Sequence, residues 1–120
     1  MNEKEKEKTQ HMRAEYLKLE DEKDAWKGLQ KETERIEEQE EFRFMQSKRS
    51  IEDMREACSA QDHVMIQLLE RQQDLLHVLK RNREEFREMF ENKKKNRLMD
   101  IEEEQRQIRG KINASETKNK

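Results

Sequence analysis

The residues of this sequence that could do chemistry are three histidines, one cysteine and many carboxylates. Histidine and carboxylate groups can bind a metal ion, and a cysteine beside a histidine can act as a nucleophile. His11 is remote in the sequence, and His63 and His77 are fourteen residues apart, or ~21 Å along a helix. Cys58 is the only cysteine, and no glycine-rich phosphate loop occurs. We therefore predict no catalytic, metal or cofactor site and no enzymatic activity.

The composition favours long helices over a globular core. Of the 120 residues, 47% are charged and 30% are hydrophobic, whereas ordinary soluble domains have about 25% and about 45–50%. The sequence contains no proline and only two glycines, and its many Glu, Lys, Arg and Gln residues are strong helix formers. Because apolar residues are too few for a compact core, their spacing decides the fold.

Several classes of protein are disfavoured by the same composition. No apolar stretch approaches the ~20 residues of a membrane span, so we expect no membrane insertion. The first ten residues lack the apolar core of a secretory signal. The net charge of −2 does not indicate general binding to nucleic acid. We expect a cytoplasmic protein, or one that is exported together with a partner without a signal peptide.

Apolar residues recur with helical spacing in both halves of the chain. The first stripe consists of Met12, Tyr16, Leu19, Trp26, Leu29, Thr33 and Ile36. The second consists of Met65, Leu68, Leu75, Leu79, Phe86 and Met89, widened by Val64, Ile66, Leu69, Leu76, Val78 and Phe90. Steps of three, four and seven residues are typical of one face of an α-helix.

Two polar stretches, at 46–50 and at 58–62, could hold a turn between two helices. A turn near residue 60 places residues at equal distances from it opposite each other, such as Phe44 and Leu76. It also sets an acidic part of the first helix against a basic part of the second. A turn at 46–50 would leave the last ~20 residues unpaired, so we favour the turn near 60. Capping does not decide, because Ser59 with Asp62 and Ser50 with Asp53 are equivalent pairs.

The predicted fold is all-α: a long antiparallel two-helix hairpin or coiled coil with frayed termini. The predicted segments are a flexible charged segment at 1–9, a helical hairpin at 10–112 and a disordered tail at 113–120. Within the hairpin, helix 1 covers about 10–57, the turn 58–62 and helix 2 about 63–110. Gly110 marks the expected fraying of the second helix.

The surplus of apolar residues in 64–90 indicates a surface that binds a partner. Only half of that circumference can meet the opposite helix, and we expect Leu69, Leu76 and Ile66 to remain exposed near the turn. The candidate partner-binding residues are Leu68, Leu69, Leu75, Leu76, Leu79, Phe86 and Phe90 in the second helix, and Trp26 and Leu29 in the first. A hetero-complex with a helical protein is favoured, and a homodimer that closes a four-helix bundle is the alternative.

The layout resembles the small helical proteins encoded beside LXG toxins in Gram-positive type VII secretion. The resemblance rests on the size, on the glutamate-rich first helix and on the pattern of the second. The residues concerned are Leu17, Leu19 and Trp26, then Arg83-Glu84-Glu85-Phe86, Phe90-Glu91, Lys94, Leu98, Ile101 and Ile108. It implies an accessory protein that binds the helical targeting domain of the toxin and accompanies it to the secretion machine.

The leading hypothesis is thus a non-enzymatic helical adaptor or chaperone for a larger protein, such as an LXG toxin. One alternative is a structural homo-oligomeric coiled coil or an export-apparatus stalk protein. Another, less favoured, is a helix that binds nucleic acid through residues 80–97, which contain eight basic and four acidic residues.

Overall fold

The computed structural model describes residues 3–118, which form two long α-helices. Helix α1 spans Glu3–Ala57 and helix α2 spans His63–Lys118. No strand occurs within residues 3–118. The predicted all-α class and helical hairpin are confirmed.

The turn between the helices occupies residues 58–62, and α1 continues without interruption through 46–50. Asp62 is the N-cap of α2. Its Oδ1 accepts a hydrogen bond of 3.2 Å from the backbone N–H of Met65, and its carbonyl accepts one of 3.1 Å from Ile66. A carboxylate at this position accepts a hydrogen bond from an N–H group that has no partner inside the helix. Its negative charge also interacts favourably with the positive end of the helix dipole.

Both helices extend further than the sequence predicts. The charged segment at 1–9, which the sequence predicts to be flexible, is helical in its described residues, since α1 begins at Glu3. The described part of the tail at 113–120, which the sequence predicts to be disordered, is also helical, since α2 continues to Lys118. The remaining two residues at each end of the chain lie outside the described residues.

Tertiary contacts account for this extra helix. Thr9 is buried, and Arg13 Nη2 donates a 2.6 Å hydrogen bond to Glu116 Oε1 on α2. Helix continues through Gly110, where fraying was expected. Glycine costs only about 1 kcal/mol in a helix interior, which packing on both sides can offset.

The chain divides into two compact units, and each unit consists of a segment of α1 and an antiparallel segment of α2. The turn unit contains residues 32–90, and the terminal unit contains residues 3–31 and 91–118. In the turn unit, Phe44, Ile51 and Leu69 are the buried apolar residues. The Phe44 ring meets the His77 ring edge-on at 6.2 Å between centroids, and Lys80 Nζ lies 4.9 Å from the Phe44 centroid.

The pairing of the helices in the turn unit is offset from the simplest expectation. Equal distances from residue 60 would place Glu41 opposite residue 79, but Glu41 pairs with Arg83, about one helical turn further along α2. Side chains in a helix lean towards its N-terminus. Because the two helices are antiparallel, the lean carries Glu41 away from the turn and Arg83 towards it, so they meet.

The terminal unit has a small and partly polar core. Ile101 and Gln105 are fully buried. Gln105 Nε2 donates a 2.8 Å hydrogen bond to Glu20 Oε1, while its Oε1 accepts none from the described residues. A buried amide in a helix–helix seam costs stability but favours one register over others.

Candidate helix-binding surface

The histidines, the cysteine and the carboxylates do not converge on a metal site in the part of the chain that the structure describes. No group of three or more such side chains in residues 3–118 is placed to hold a metal ion. His11 Nε2 lies 3.1 Å from Glu15 Oε1, one turn along α1, and His77 packs against Phe44. Cys58 is a half-buried free thiol in the turn.

The two helices of the turn unit meet along a seam that contains many polar side chains. The buried and half-buried residues of α2 in this seam recur at steps of three and four, with one gap, at Ile66, Leu69, Gln73, Leu76, Lys80, Arg83 and Phe90. Gln73, Lys80 and Arg83 take positions that are usually apolar in a coiled coil. Arg83 is tied to α1 by an ion pair of 2.6 Å with Glu41. The seam is thus only partly apolar.

A second line of apolar residues on α2, here called the outer stripe, faces solvent. It consists of Met65, Leu68, Leu75, Leu79, Phe86 and Met89, all of which are exposed. Most of these residues immediately precede a seam residue. Successive residues of an α-helix are rotated by about 100°, so the outer stripe and the seam lie on adjacent faces of α2.

The middle of the outer stripe forms one wall of a groove between α1 and α2. Two adjacent cavities of the turn unit, of about 500 Å³ and about 530 Å³, share Ser47, Leu76 and Leu79 and are together called the groove here. Leu75, Leu79 and Phe86 line the α2 side of this groove. The α1 side carries mostly small or polar side chains, including Ser47 and Ser50.

The turn unit also has a recess of quite different chemistry. It has a volume of about 500 Å³ and is lined by Glu34, Glu37, Glu38 and Glu41 of α1 and by Lys80, Arg83, Glu84 and Arg87 of α2. Charged walls of this kind are well hydrated and need no cover. The groove beside the outer stripe, in contrast, has one wall with the exposed apolar side chains Leu75, Leu79 and Phe86, and exposed apolar surface tends to mark an interaction site.

The candidate partner-binding residues of α2 lie partly in the outer stripe and partly in the seam. Leu68, Leu75, Leu79 and Phe86 belong to the outer stripe. Phe90 is half-buried.

The expectation that Leu69, Leu76 and Ile66 stay exposed near the turn is wrong. Leu69 is 3% exposed, and Leu76 and Ile66 are half-buried in the seam. The rotation of α2 about its own axis turns these three side chains towards α1, and it leaves the preceding residues outside.

Trp26 and Leu29, the candidates in the first helix, lie in the terminal unit and not with the outer stripe. Trp26 is half-buried, and its indole Nε1 donates a 3.3 Å hydrogen bond to Glu22 Oε2. Leu29 is exposed. Neither side chain lines the groove beside the outer stripe in the turn unit.

The terminal unit is joined by a bidentate ion pair. Arg97 donates hydrogen bonds of 2.5 Å and 2.8 Å to the two carboxylate oxygens of Glu22. These bonds lower the pKa of Glu22 and raise that of Arg97. The pKa of the nearby Glu20 is also lowered, first by its hydrogen bond from Gln105 and then by that from Lys23. Such pairs favour the charged forms of both partners.

The basic segment 80–97 is partly engaged within its own units. In the turn unit, Arg83 contacts Glu41, and Arg87 Nε lies 3.6 Å from Glu37 Oε2. In the terminal unit, Arg97 contacts Glu22. At least three of the eight basic side chains thus meet acidic side chains of α1, as charge complementarity between the arms predicts.

Comparisons with known proteins identify no relative of this chain. The chain matches no known protein family, no curated protein and no solved structure. No helix within residues 3–118 is both long and apolar enough to cross a lipid bilayer.

The separation of the outer stripe from the seam is visible in the structure but was not predicted from the sequence. The signal was present in the spacing, because positions 65, 68, 72, 75, 79, 82, 86 and 89 alternate steps of three and four. Gln72 and Asn82 interrupt this series, so the remaining apolar residues read as the widening of a single stripe. Two adjacent heptad patterns, offset by one residue, describe the same segment better.

Proposed function

We propose that this chain is a non-enzymatic helical adaptor that binds a helix of another polypeptide along its outer stripe. The observation that carries the proposal is the exposure of six large apolar side chains at heptad spacing on α2. Apolar area removed from water contributes roughly 25 cal/mol per Å², so covering this stripe favours association.

The shape of the groove fits a helix better than an extended peptide. Its α2 wall presents Leu75, Leu79 and Phe86 at intervals of four and seven residues, which is the spacing at which a second helix inserts its own side chains. On the α1 wall, Ser47 and Ser50 are small, so another helix can approach closely. One added helix would turn the pair in this unit into a three-helix bundle, and two added helices would make a four-helix bundle.

The resemblance described above suggests the partner. We propose the helical targeting domain of an LXG toxin, with the adaptor acting as its chaperone before or during type VII export. On this proposal the adaptor works in the cytoplasm or leaves the cell together with the toxin. The apolar helices of such a domain would be shielded from aggregation while bound.

Co-purification tests the proposal directly. The tagged full chain is co-expressed with the targeting domain of an LXG toxin encoded beside its gene, and the retained complex is quantified. We expect L75E/L79E to reduce recovery to background, because two buried carboxylates would be unpaired in the interface. Phe42→Glu is the matched control, since Phe42 is an exposed apolar residue of the turn unit that lines neither cavity of the groove.

Circular dichroism of each variant establishes that the helices are retained. Equal recovery of the toxin domain by L75E/L79E and by the unsubstituted chain would overturn the role of the outer stripe. Failure of the unsubstituted chain to retain the domain would overturn the LXG toxin as the partner.

A further inference from the structure

The outer stripe has the same order of residue classes from either end. From its N-terminal end, the positions are Met65, Leu68, Gln72 and Leu75. From its C-terminal end, they are Met89, Phe86, Asn82 and Leu79. Each half therefore runs from methionine through a large apolar residue and an amide to leucine, and the two halves are symmetric about His77.

We infer that the outer stripe binds a second copy of this chain, with the two α2 helices antiparallel and related by a two-fold axis near residue 77. In that arrangement Leu75 packs against Leu79 of the second copy, Leu68 against Phe86, and Met65 against Met89. A two-fold interface requires such self-complementarity, because each contact occurs twice with the roles exchanged. The inference rests on the proposed role of the outer stripe in binding a helix.

The two amides fall opposite each other in the same arrangement. Gln72 meets Asn82 of the second copy, and Asn82 meets Gln72. Amide side chains carry both a donor and an acceptor, so each pair can satisfy itself within the interface. A polar pair in an otherwise apolar helix–helix contact disfavours other registers, in which each amide would face a methyl group.

The charges beside the outer stripe favour the antiparallel orientation. Antiparallel helices bring the residues just before the first core position of each heptad together across the interface. Those residues are Val64, Arg71, Val78 and Glu85. Arg71 thus meets Glu85 of the second copy, Glu85 meets Arg71, and the two Val78 side chains lie at the axis.

The structure leaves these flanking groups available. Arg71, Glu85 and Val78 are exposed, and among residues 3–118 neither Arg71 nor Glu85 forms an ion pair within the chain. Parallel packing of two α2 helices would instead place Arg71 beside Leu76 and Glu85 beside Phe90, with no charge pair. Charge therefore selects the antiparallel dimer.

The length of the outer stripe is sufficient for a stable contact. Residues 65–89 span about three and a half heptads, or ~36 Å of helix, and three to four heptads suffice for a typical coiled coil. Leu76 and the α1 wall of the groove broaden the contact on the side of the seam. The product is a four-helix bundle made from two turn units.

Sedimentation equilibrium of the full chain in reducing buffer tests the inference, with the reductant preventing a disulfide through Cys58. We expect a reversible monomer–dimer equilibrium. L75E/L79E should remain monomeric at concentrations at which the unsubstituted chain dimerises, and the control Phe42→Glu should dimerise normally. A chain that is monomeric throughout, or a dimer that persists in L75E/L79E, would overturn the inference.

Charge reversal tests the orientation. Arg71→Glu and Glu85→Arg should each raise the dimer dissociation constant about tenfold, because each change creates two like-charge pairs across the interface. The double variant R71E/E85R should return it to near the original value. Arg71 and Glu85 are fourteen residues apart on one helix, so rescue cannot arise within one chain. Absence of rescue would overturn the antiparallel register.

These results separate the two proposals. A monomer that still binds the toxin domain through the outer stripe would overturn the dimer and leave the proposed function intact. A dimer that depends on the outer stripe but never binds the toxin domain would do the reverse. If both occur, the partner helix and the second copy use the same groove, and added toxin domain should dissociate the dimer.

Discussion

Leu68 and Leu69 are consecutive residues of α2 that lie on different faces of the helix: Leu69 is 3% exposed and Leu68 is 48% exposed. Leu69 belongs to the seam with α1, and Leu68 belongs to the outer stripe. The same residue type at adjacent positions therefore serves two purposes, one internal to the turn unit and one open to a binding partner.

We expect alanine substitutions to separate these purposes. Leu69→Ala should lower the free energy of unfolding by about 2–4 kcal/mol, since it removes a buried side chain and leaves a cavity. Leu68→Ala should change it by less than about 1 kcal/mol at low protein concentration, where association does not contribute. Urea denaturation followed by circular dichroism measures both. Equal effects of the two substitutions would contradict the assignment of seam and outer stripe.

Asp62 should contribute to stability as the N-cap of α2. Asp62→Ala removes the 3.2 Å hydrogen bond to the N–H of Met65 and should cost about 1 kcal/mol. Asp53→Ala is the matched control, because Asp53 is an exposed carboxylate of α1 that lies far from the N-terminus of that helix and therefore caps nothing there. Thermal denaturation of the two variants compares them, and a control as destabilised as Asp62→Ala would argue against capping.

The buried amide of Gln105 should lower the stability of the terminal unit. Gln105→Leu removes a buried carbonyl oxygen that has no partner among the described residues, while Glu20 keeps its ion pair with Lys23. We expect a gain of about 1 kcal/mol in the free energy of unfolding. Gln107→Leu, at an exposed position, should give no comparable gain. A loss of stability in Gln105→Leu would show that its bond to Glu20 outweighs the unsatisfied oxygen.

Acidification should weaken the terminal unit through Glu20 and Glu22. Folding lowers the pKa of both carboxyl groups below the ordinary value of 4.5. The stability that they contribute is therefore present above pH 4.5 and is lost as the pH falls below it through their lowered pKa values. Unfolding curves recorded between about pH 7 and pH 3 should show this loss.

Amide substitution isolates the contribution of Glu22. Glu22→Gln should lower stability at neutral pH and flatten its dependence on pH, since the carboxylate that accepts two hydrogen bonds from Arg97 is gone. Glu56→Gln, at an exposed carboxyl group near the end of α1, serves as the control. An unchanged pH dependence in Glu22→Gln would rule out the Glu22–Arg97 pair as its cause.

Much of the fold is predictable from the residues alone. The high content of Glu, Lys, Arg and Gln, the absence of proline and the steps of three and four are local properties, and local properties suffice to predict helix. The ends of the helices were less predictable. The helix before Met12 and after Gly110 is held by partners such as Glu116, about 100 residues away in the sequence.

The helical character of the chain, the stripes formed by its apolar residues and the polar segment near residue 60 that can reverse its direction all follow from the residues alone. Which stripe of α2 faces α1 depends on the packing of the two helices. The two stripes have the same spacing and are offset by one residue, so periodicity does not distinguish them. A rotation of the helix by about 100° about its own axis brings one stripe or the other to face a neighbouring helix. Contacts between the helices of the turn unit, such as that of Arg83 with Glu41, are made with the seam facing α1. In this orientation Leu68, Leu75 and Leu79 are exposed to solvent.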